Sequence, residues 1–312
     1  MFVTEISSVS GFEPIAGSSS TVLSAAMFEN LTPNTTYYAR AKARSHAGAD
    51  TAYTLLGSTV TKANPVLALA FSFVSTAAIA GNWTPSANPP GTRYKALLAL
   101  NPSFNTIAKT SVTLNTTALF AGLSLNVTYY ARVQAINAQG EATIFTELGS
   151  TSTLANAPLT ISSTFSAVEI NKLAMHWSAN SNPLKTVFIA EISGAPEFGL
   201  IAGSCVTVIS SAAFTGLAAN TTYYARTKAR SHAGADTAYT LLGSTVTKAN
   251  PVEALGYSSV SISTIASNWT QNSNPLGTLY KAELTTDPSF DAITQASVTL
   301  NTTALFAGLA VN

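Results

Sequence analysis

Apolar and polar residues alternate along this chain in short runs. In residues 36–44, TYYARAKAR, Tyr37, Ala39, Ala41 and Ala43 fall on one face, and Tyr38, Arg40, Lys42 and Arg44 on the other. A period of two belongs to a β-strand, whose successive side chains point to opposite faces of a sheet. Similar runs recur along the sequence, bounded by Gly, Pro and Asn clusters, and no long segment carries the 3.6-residue period of a helix. The pattern predicts short antiparallel strands packed into β-sandwiches. The most apolar run, residues 67–81, alternates as a strand does. It is shorter than a membrane span and carries Ser and Thr, so no membrane insertion is expected. The first twelve residues have neither the basic nor the apolar stretch of a signal peptide.

The pattern repeats on two scales. Tryptophans stand at Trp83, Trp177 and Trp269, and Tyr-Tyr pairs at Tyr37-Tyr38, Tyr129-Tyr130 and Tyr223-Tyr224. Both sets advance by steps of 92 or 94. Residues 34–66 recur at 220–252 with one change, Ala41 to Thr227, and residues 113–123 recur at 299–309. A unit of about 93 residues is therefore nested in a super-repeat of 186 whose neighbours are unlike. Each unit is long enough to bury its own core, which separates it from a solenoid turn.

One tryptophan early, then an aromatic strand such as RYKALLAL, then GLSLNVTYYARVQAINAQG and GSTSTLANAP form an order that resembles tandem fibronectin type III domains. The resemblance covers essentially the whole chain. It implies an all-β fold of tandem seven-stranded Greek-key sandwiches, immunoglobulin-like, in an extended array. By position it places Trp83, Trp177 and Trp269 in the cores, and has the hydroxyls of Tyr37, Tyr129 and Tyr223 cap a corner. The Ala-rich sixth strands depart from the family's bulkier pattern. The implied division is 1–64 (third to seventh strands), 65–156 and 157–250 (complete domains), and 251–312 (first to fifth strands). On this reading both ends interrupt a domain. Asn312 falls where Asn34, Asn126 and Asn220 stand in the other copies. Either the chain is part of a longer one or its ends complete each other between subunits. The linkers are short and each has a proline, which restricts neighbouring domains.

Charged residues make up 9% of the chain and the formal net charge is +1. That excludes the basic footprint of a nucleic-acid binder and leaves a Thr/Ser/Asn surface with little to repel a neighbour. The single cysteine, Cys205, is read as a small buried or half-buried residue and permits no intrachain disulfide.

Candidate chemistry is sparse. SHAGAD, at 45–50 and 231–236, puts Ser, His and Asp in one hairpin loop, whereas a triad draws them from distant parts of the chain. His46, His176 and His232 lack partners at zinc spacing. DPSFD at 287–291 corresponds to NPSFN at 101–105, where the amides keep a turn but lose the charge that calcium requires. No catalytic, cofactor or metal residue is therefore assigned.

The candidate contact face is the outward row Tyr38, Arg40, Lys42 and Arg44, with Tyr130 and Arg132, and with Tyr224, Arg226, Lys228 and Arg230. Its competing reading is cross-strand pairing with Glu5, Glu191 and Glu283. Asn-x-Ser/Thr sequons occur at Asn30, Asn34, Asn82, Asn115, Asn126, Asn220, Asn268 and Asn301. Asn34, Asn126 and Asn220, expected in exposed turns before a strand, are the candidate glycosylation sites.

The functional expectation is a non-enzymatic structural protein, the repeat segment of an extracellular filament, sheath or surface-layer-like polymer. Self-association is the expected partnership, with glycans or other surface proteins as further partners. The rival is a spacer or carbohydrate/cell-adhesion module of a larger secreted enzyme or adhesin.

Overall fold

The computed structural model describes residues 1–310; Val311 and the Asn312 position lie outside the described residues. No helix occurs among them, and so none is long and apolar enough to cross a membrane. By contacts the chain separates into two compact units, Met1–Ala155 with Ser231–Ala235, and Asn156–Arg230 with Asp236–Asn312.

In the first unit, β1 (Phe2–Ser7), β2 (Gly17–Thr21), β3 (Thr36–Ala43) and β4 (Thr54–Val60) form one antiparallel sheet in the order β2-β1-β3-β4. Then follow β5 (Leu67–Ala68), β6 (Phe73–Val74), β7 (Ala78–Thr84), β8 (Arg93–Ala99), β9 (Ile107–Thr113), β10 (Thr117–Ala121), β11 (Thr128–Ile136) and β12 (Thr146–Ser152). Strand β7, with β10 and β5 on its edges and β6 beside it, makes one layer, and β12-β11-β8-β9 makes the other. One core fills the space between the layers. It joins Ile79, Trp83, Ala118 and Phe120 to Tyr94, Leu98, Val133 and Leu148. Trp83 is buried, 5.6 Å from the Tyr94 ring.

In the second unit the strands are β13 (Phe165–Ser166), β14 (Lys172–His176), β15 (Val187–Ser193), β16 (Gly203–Thr207), β17 (Ser211–Thr215), β18 (Thr222–Arg230) and β19 (Thr240–Val246). They are followed by β20 (Ala254–Ser258), β21 (Thr264–Trp269), β22 (Tyr280–Leu284), β23 (Gln295–Thr299) and β24 (Thr303–Ala307). The sheets are β13-β14-β17 and β16-β15-β18-β19, then β20-β21-β24 and the pair β22-β23. Trp177 lies 5.7 Å from Phe188, and Trp269 lies 5.8 Å from Tyr280.

The alternation read from the sequence is the alternation of burial. Along β18, Tyr223, Ala225, Thr227 and Ala229 are buried, and the residues between them reach the outer face. This register carries Arg226 and Lys228 away from the core, and β11 repeats it. Each β3-type strand begins with a tyrosine that pins its corner. Tyr37, Tyr129 and Tyr223 accept the backbone N–H groups of Thr32, Ser124 and Ala218 at 3.1, 3.0 and 3.0 Å.

Opposite these strands the register shifts at Ala39/Arg40, Ala131/Arg132 and Ala225/Arg226. The partner strand inserts one extra residue there: Leu56, Leu148 or Leu242. Each is followed by a glycine at φ 99°, 93° or 94°, a conformation open to glycine and costly for other residues. The bulge turns the inserted leucine inward, so that Leu148 and Leu242 are buried.

Candidate interaction surface

The outward row is not a bare strip of charge. Each of its first arginines lies between two aromatic rings. The Arg40 guanidinium is 4.3 Å from the Phe12 ring centroid and 4.0 Å from that of Tyr53. Arg132 lies 4.0 Å from Phe104 and 4.1 Å from Phe145, and Arg226 lies 4.3 Å from Phe198 and 3.9 Å from Tyr239. A guanidinium over an aromatic face is attracted by the ring quadrupole, by about 0.5–2 kcal/mol depending on desolvation. The phenylalanines reach these places from tight turns. Phe12, Phe104 and Phe198 have φ of 59°, 55° and 54°, and their N–H groups bond back to Val9, Asn101 and Ala195. A bulky residue is strained in that region, and ring burial against the arginine offsets the strain.

Carboxylates complete two of the three clamps. Glu5 Oε2 accepts from Arg40 Nε at 2.9 Å, and Glu191 Oε2 accepts from Arg226 Nε at 2.8 Å. Burial alone would raise the Glu5 carboxyl, but hydrogen bonds from Tyr53 and Arg40 outweigh it and hold Glu5 below its ordinary value. In the middle clamp the residue opposite Arg132 is Leu97, and the buried Arg132 Nε has no partner among the described residues. Further along the row, Asp50 receives Lys42 at 2.6 Å and Arg44 at 2.5 Å, and Asp236 receives Lys228 at 2.7 Å and Arg230 at 2.5 Å. Hydrogen bonds from the arginine first and the lysine second hold both aspartates well below the carboxylate range. The row's positive charges are thus largely engaged within their own repeat. Tyr38, Tyr130 and Tyr224 are half-buried on the same face.

The pairing of Glu5 and Glu191 with the row follows from the strand register. The aromatic halves of the clamps were missed, although a signal was present. Phe12, Phe104, Phe198 and Phe290 advance by 92, 94 and 92, and Tyr53, Phe145 and Tyr239 by 92 and 94, in step with the arginines. Glu283 pairs instead with Lys281 of its own strand.

The expectation that Asn34, Asn126 and Asn220 lie in exposed turns is corrected. Asn126 is fully buried, and Asn34 and Asn220 are half-buried. The Asn34 Nδ2, the atom a glycan would take, donates to Thr92 Oγ1 at 2.8 Å, and Asn220 Nδ2 donates to Thr278 Oγ1 at 2.9 Å. Asn34 Oδ1 also accepts the Ala138 N–H at 2.8 Å. These residues join one repeat to the next, and that use takes them out of solvent. The linker asparagines do the same work. Asn64 N–H donates to Asn88 Oδ1 and Asn88 Nδ2 to the Asn64 carbonyl, both at 2.8 Å. Asn250 and Asn274 form the same reciprocal pair at 2.7 and 3.0 Å.

The remaining candidates are local structure. Ser45 Oγ accepts the Ala49 N–H and closes its loop, and Asp50 is held by the basic row. His176 Nε2 lies 2.7 Å from Ser166 Oγ on an exposed face, with no carboxylate bonded to the ring among the described residues. Asp287 accepts from the Ser289 N–H and hydroxyl, and Asn101 accepts from the Ser103 hydroxyl in the sister turn. Cys205 is half-buried in β16.

No family model matches the sequence, and no curated protein matches it. Among solved structures, the chain is similar to a two-domain fibronectin type III segment of chicken tenascin. The identity is 15% and the TM-score 0.41, over 59% of this chain and 99% of that one. It is also similar to the FN1–FN3 domains of chicken contactin, at 13% identity and TM-score 0.29, over 69% of this chain and 78% of that one. The layered antiparallel sheets, buried tryptophans and tyrosine corners described above are those of tandem β-sandwiches.

Proposed function

We propose that this chain is a non-enzymatic structural segment that sets spacing outside the cell. In this reading the two-sandwich repeat of 186 residues is the unit of an extracellular filament, sheath or surface-layer-like polymer. The observation that carries the proposal is the joint. Within each compact unit, consecutive repeats are tied by the same set of asparagine bonds, Asn34 to Thr92 and Asn64 to Asn88, then Asn220 to Thr278 and Asn250 to Asn274. A short linker bonded at both ends gives up most of its freedom, and each such bond contributes about 0.5–1.5 kcal/mol. Linkers built to bend would leave these groups to water.

The same economy of charge supports lateral contact. With 9% charged residues and the basic row largely neutralised, copies approach without much repulsion. Tyr38, Tyr130 and Tyr224, with the half-exposed Arg44 and Arg230, are the groups left to a neighbour. The test is electron microscopy and small-angle scattering of the purified chain over a range of concentrations. Extended assemblies with a period of one two-sandwich unit are expected. A monodisperse monomer at every concentration, without order on a grid, defeats the polymer reading. An Asn34→Ala, Asn220→Ala variant that scatters as the parent does removes its main support.

A further inference from the structure

One tight turn occurs four times, with a side-chain difference that the turn itself does not require. It follows β2, β9, β16 and β23, and in each copy a threonine hydroxyl accepts the backbone N–H two residues on. Thr21 Oγ1 holds Leu23 at 3.0 Å, Thr113 Oγ1 holds Asn115 at 3.0 Å, Thr207 Oγ1 holds Ile209 at 3.2 Å and Thr299 Oγ1 holds Asn301 at 3.0 Å. All four held residues are exposed. Leucine and isoleucine serve the turn as well as asparagine does, and the side-chain amides of Asn115 and Asn301 bond to nothing among the described residues.

Where the asparagine stands, a threonine stands two residues later. The tripeptides are Asn115-Thr116-Thr117 and Asn301-Thr302-Thr303, and every residue of both is exposed. The other two turns have Ala25 and Ser211 at that place. Asn-x-Thr is the acceptor pattern for an N-linked sugar. The Thr117 and Thr303 hydroxyls donate to Asn82 and Asn268 Oδ1 at 2.6 and 2.9 Å, and rotation about one side-chain bond presents them to an enzyme. Asn115 lies in a sandwich with both layers in place, and it is open to solvent there.

The other sequons serve structure. Asn34 and Asn220 head the same Asn-Thr-Thr tripeptide, but their Nδ2 atoms are bonded to Thr92 and Thr278, and Asn126 is buried. Asn82 Nδ2 donates to the Ala70 carbonyl and Asn268 Nδ2 to Ser258 Oγ, both at 2.9 Å. Asn30 stands where the next repeats have Gly122 and Gly216, and like them it has a positive φ, 58° against 65° and 72°. Asparagine is one of the few side chains found readily in that conformation, which accounts for Asn30 without a sugar.

We propose that Asn115 and Asn301 are the N-glycan acceptors of this chain, selected by the fold from its eight sequons. A separate transferase delivers the sugar from a donor activated as a sugar diphosphate. The bond from Asn Nδ2 to the anomeric carbon forms as the bond from that carbon to the donor's phosphate oxygen breaks. The diphosphate leaves with the electron pair, and the amide releases one proton. The two sites are 186 residues apart, so the sugar marks each two-sandwich repeat once. The inference rests on the extracellular placement proposed above and not on polymer formation.

The test treats the folded 312-residue chain with UDP-glucose and a soluble N-glucosyltransferase that recognises Asn-x-Ser/Thr, and reads intact mass and peptide fragments. Two hexose increments are expected, at Asn115 and Asn301. Occupancy at Asn34 and Asn220 should be lower by about tenfold or more, since their amides must first leave their hydrogen bonds. A protease digest of the same chain should take sugar at all four Asn-Thr-Thr sites. Asn115→Gln should remove one increment, and Asn115→Gln with Asn301→Gln should remove both. Amide exchange of β9 and β10 should not change, because leucine and isoleucine stand in the sister turns. Equal occupancy of Asn34 or Asn220 in the folded chain, no transfer at Asn115, or a digest modified only at Asn115 and Asn301 would each overturn the proposal. So would native material with the mass of the bare polypeptide. A chain that carries the sugar and stays monomeric would support this proposal and count against the polymer alone.

Discussion

Residues 34–60 and 220–246 have one sequence difference and two environments. Leu56 is 60% exposed and Leu242 is 5% exposed, although both are the inserted leucine of the same bulge. Upstream, Ser211–Thr215 form β17 against β14, while the corresponding residues 25–29 form no strand. Phe28 still lies over Gly17 as Phe214 lies over Gly203. The hairpin, its bulge, the tyrosine corner and the arginine clamp are therefore made by near neighbours and by the sheet itself, and they form in both places. Burial of the inner face and the existence of an edge strand depend on a second layer. Among the described residues that layer lies opposite β15 and β18, and none lies opposite β1 and β3.

The sharpest way to break this comparison is to truncate the paired residues. Leu242→Ala should cost about 2–4 kcal/mol in amide-exchange stability of β18 and β19. Leu56→Ala should cost under about 0.5 kcal/mol in β3 and β4, as an exposed substitution does. Equal losses would show that both inner faces are covered in solution. Trp83→Ala and Trp177→Ala, each at the centre of a two-layer core, should cost about 3–5 kcal/mol and set the upper end of the scale.

The clamps should behave alike where the cores do not. Arg40→Ala and Arg226→Ala should each lose about 1–3 kcal/mol locally, through stacking and through the carboxylate left behind. A large gap between the two values would mean that the clamp depends on the opposite layer.

Thr227 tests the single sequence difference. Its Oγ1 is buried without a partner among the described residues, whereas Ala41 is half-buried and Val133 fills the position in β11. Thr227→Val should stabilise its sandwich by about 1 kcal/mol by removing an unsatisfied hydroxyl. Ala41→Thr should be close to neutral. Destabilisation by Thr227→Val would mean that the hydroxyl finds a bond.

The smallest effect is in acid. Asp50 and Asp236 have depressed values, so whatever stability they lend is complete above the ordinary carboxylate pKa. It declines as pH falls below that point and is gone once the pH passes their lowered values. Amide exchange in both 45–50 and 231–236 loops should quicken over that range, and Asp50→Asn and Asp236→Asn should flatten the dependence in their own loops. A loop that loosens as pH rises through neutrality would contradict the sign.

How far the sequence could be read follows the same division. Alternation in residues 36–44 placed Arg40 and Lys42 on the outer face. The strand register put Glu5 and Glu191 across from the row, and the steps of 92 and 94 marked the repeats, because these are properties of backbone period and spacing. The aromatic clamp was recoverable only by following Phe12 and Tyr53 through the repeats, since they reach Arg40 from different loops. Asn34 and Asn220 looked like exposed turn residues because local sequence does not reveal that the next sandwich presents Thr92 or Thr278 to their amides. Leu56 and Leu242 mark the limit most clearly. Their surrounding sequence fixes the same strand, bulge and inward direction in both. Whether inward means core or water is decided by long-range packing, because burial is a property of the opposing layer and no local pattern encodes it.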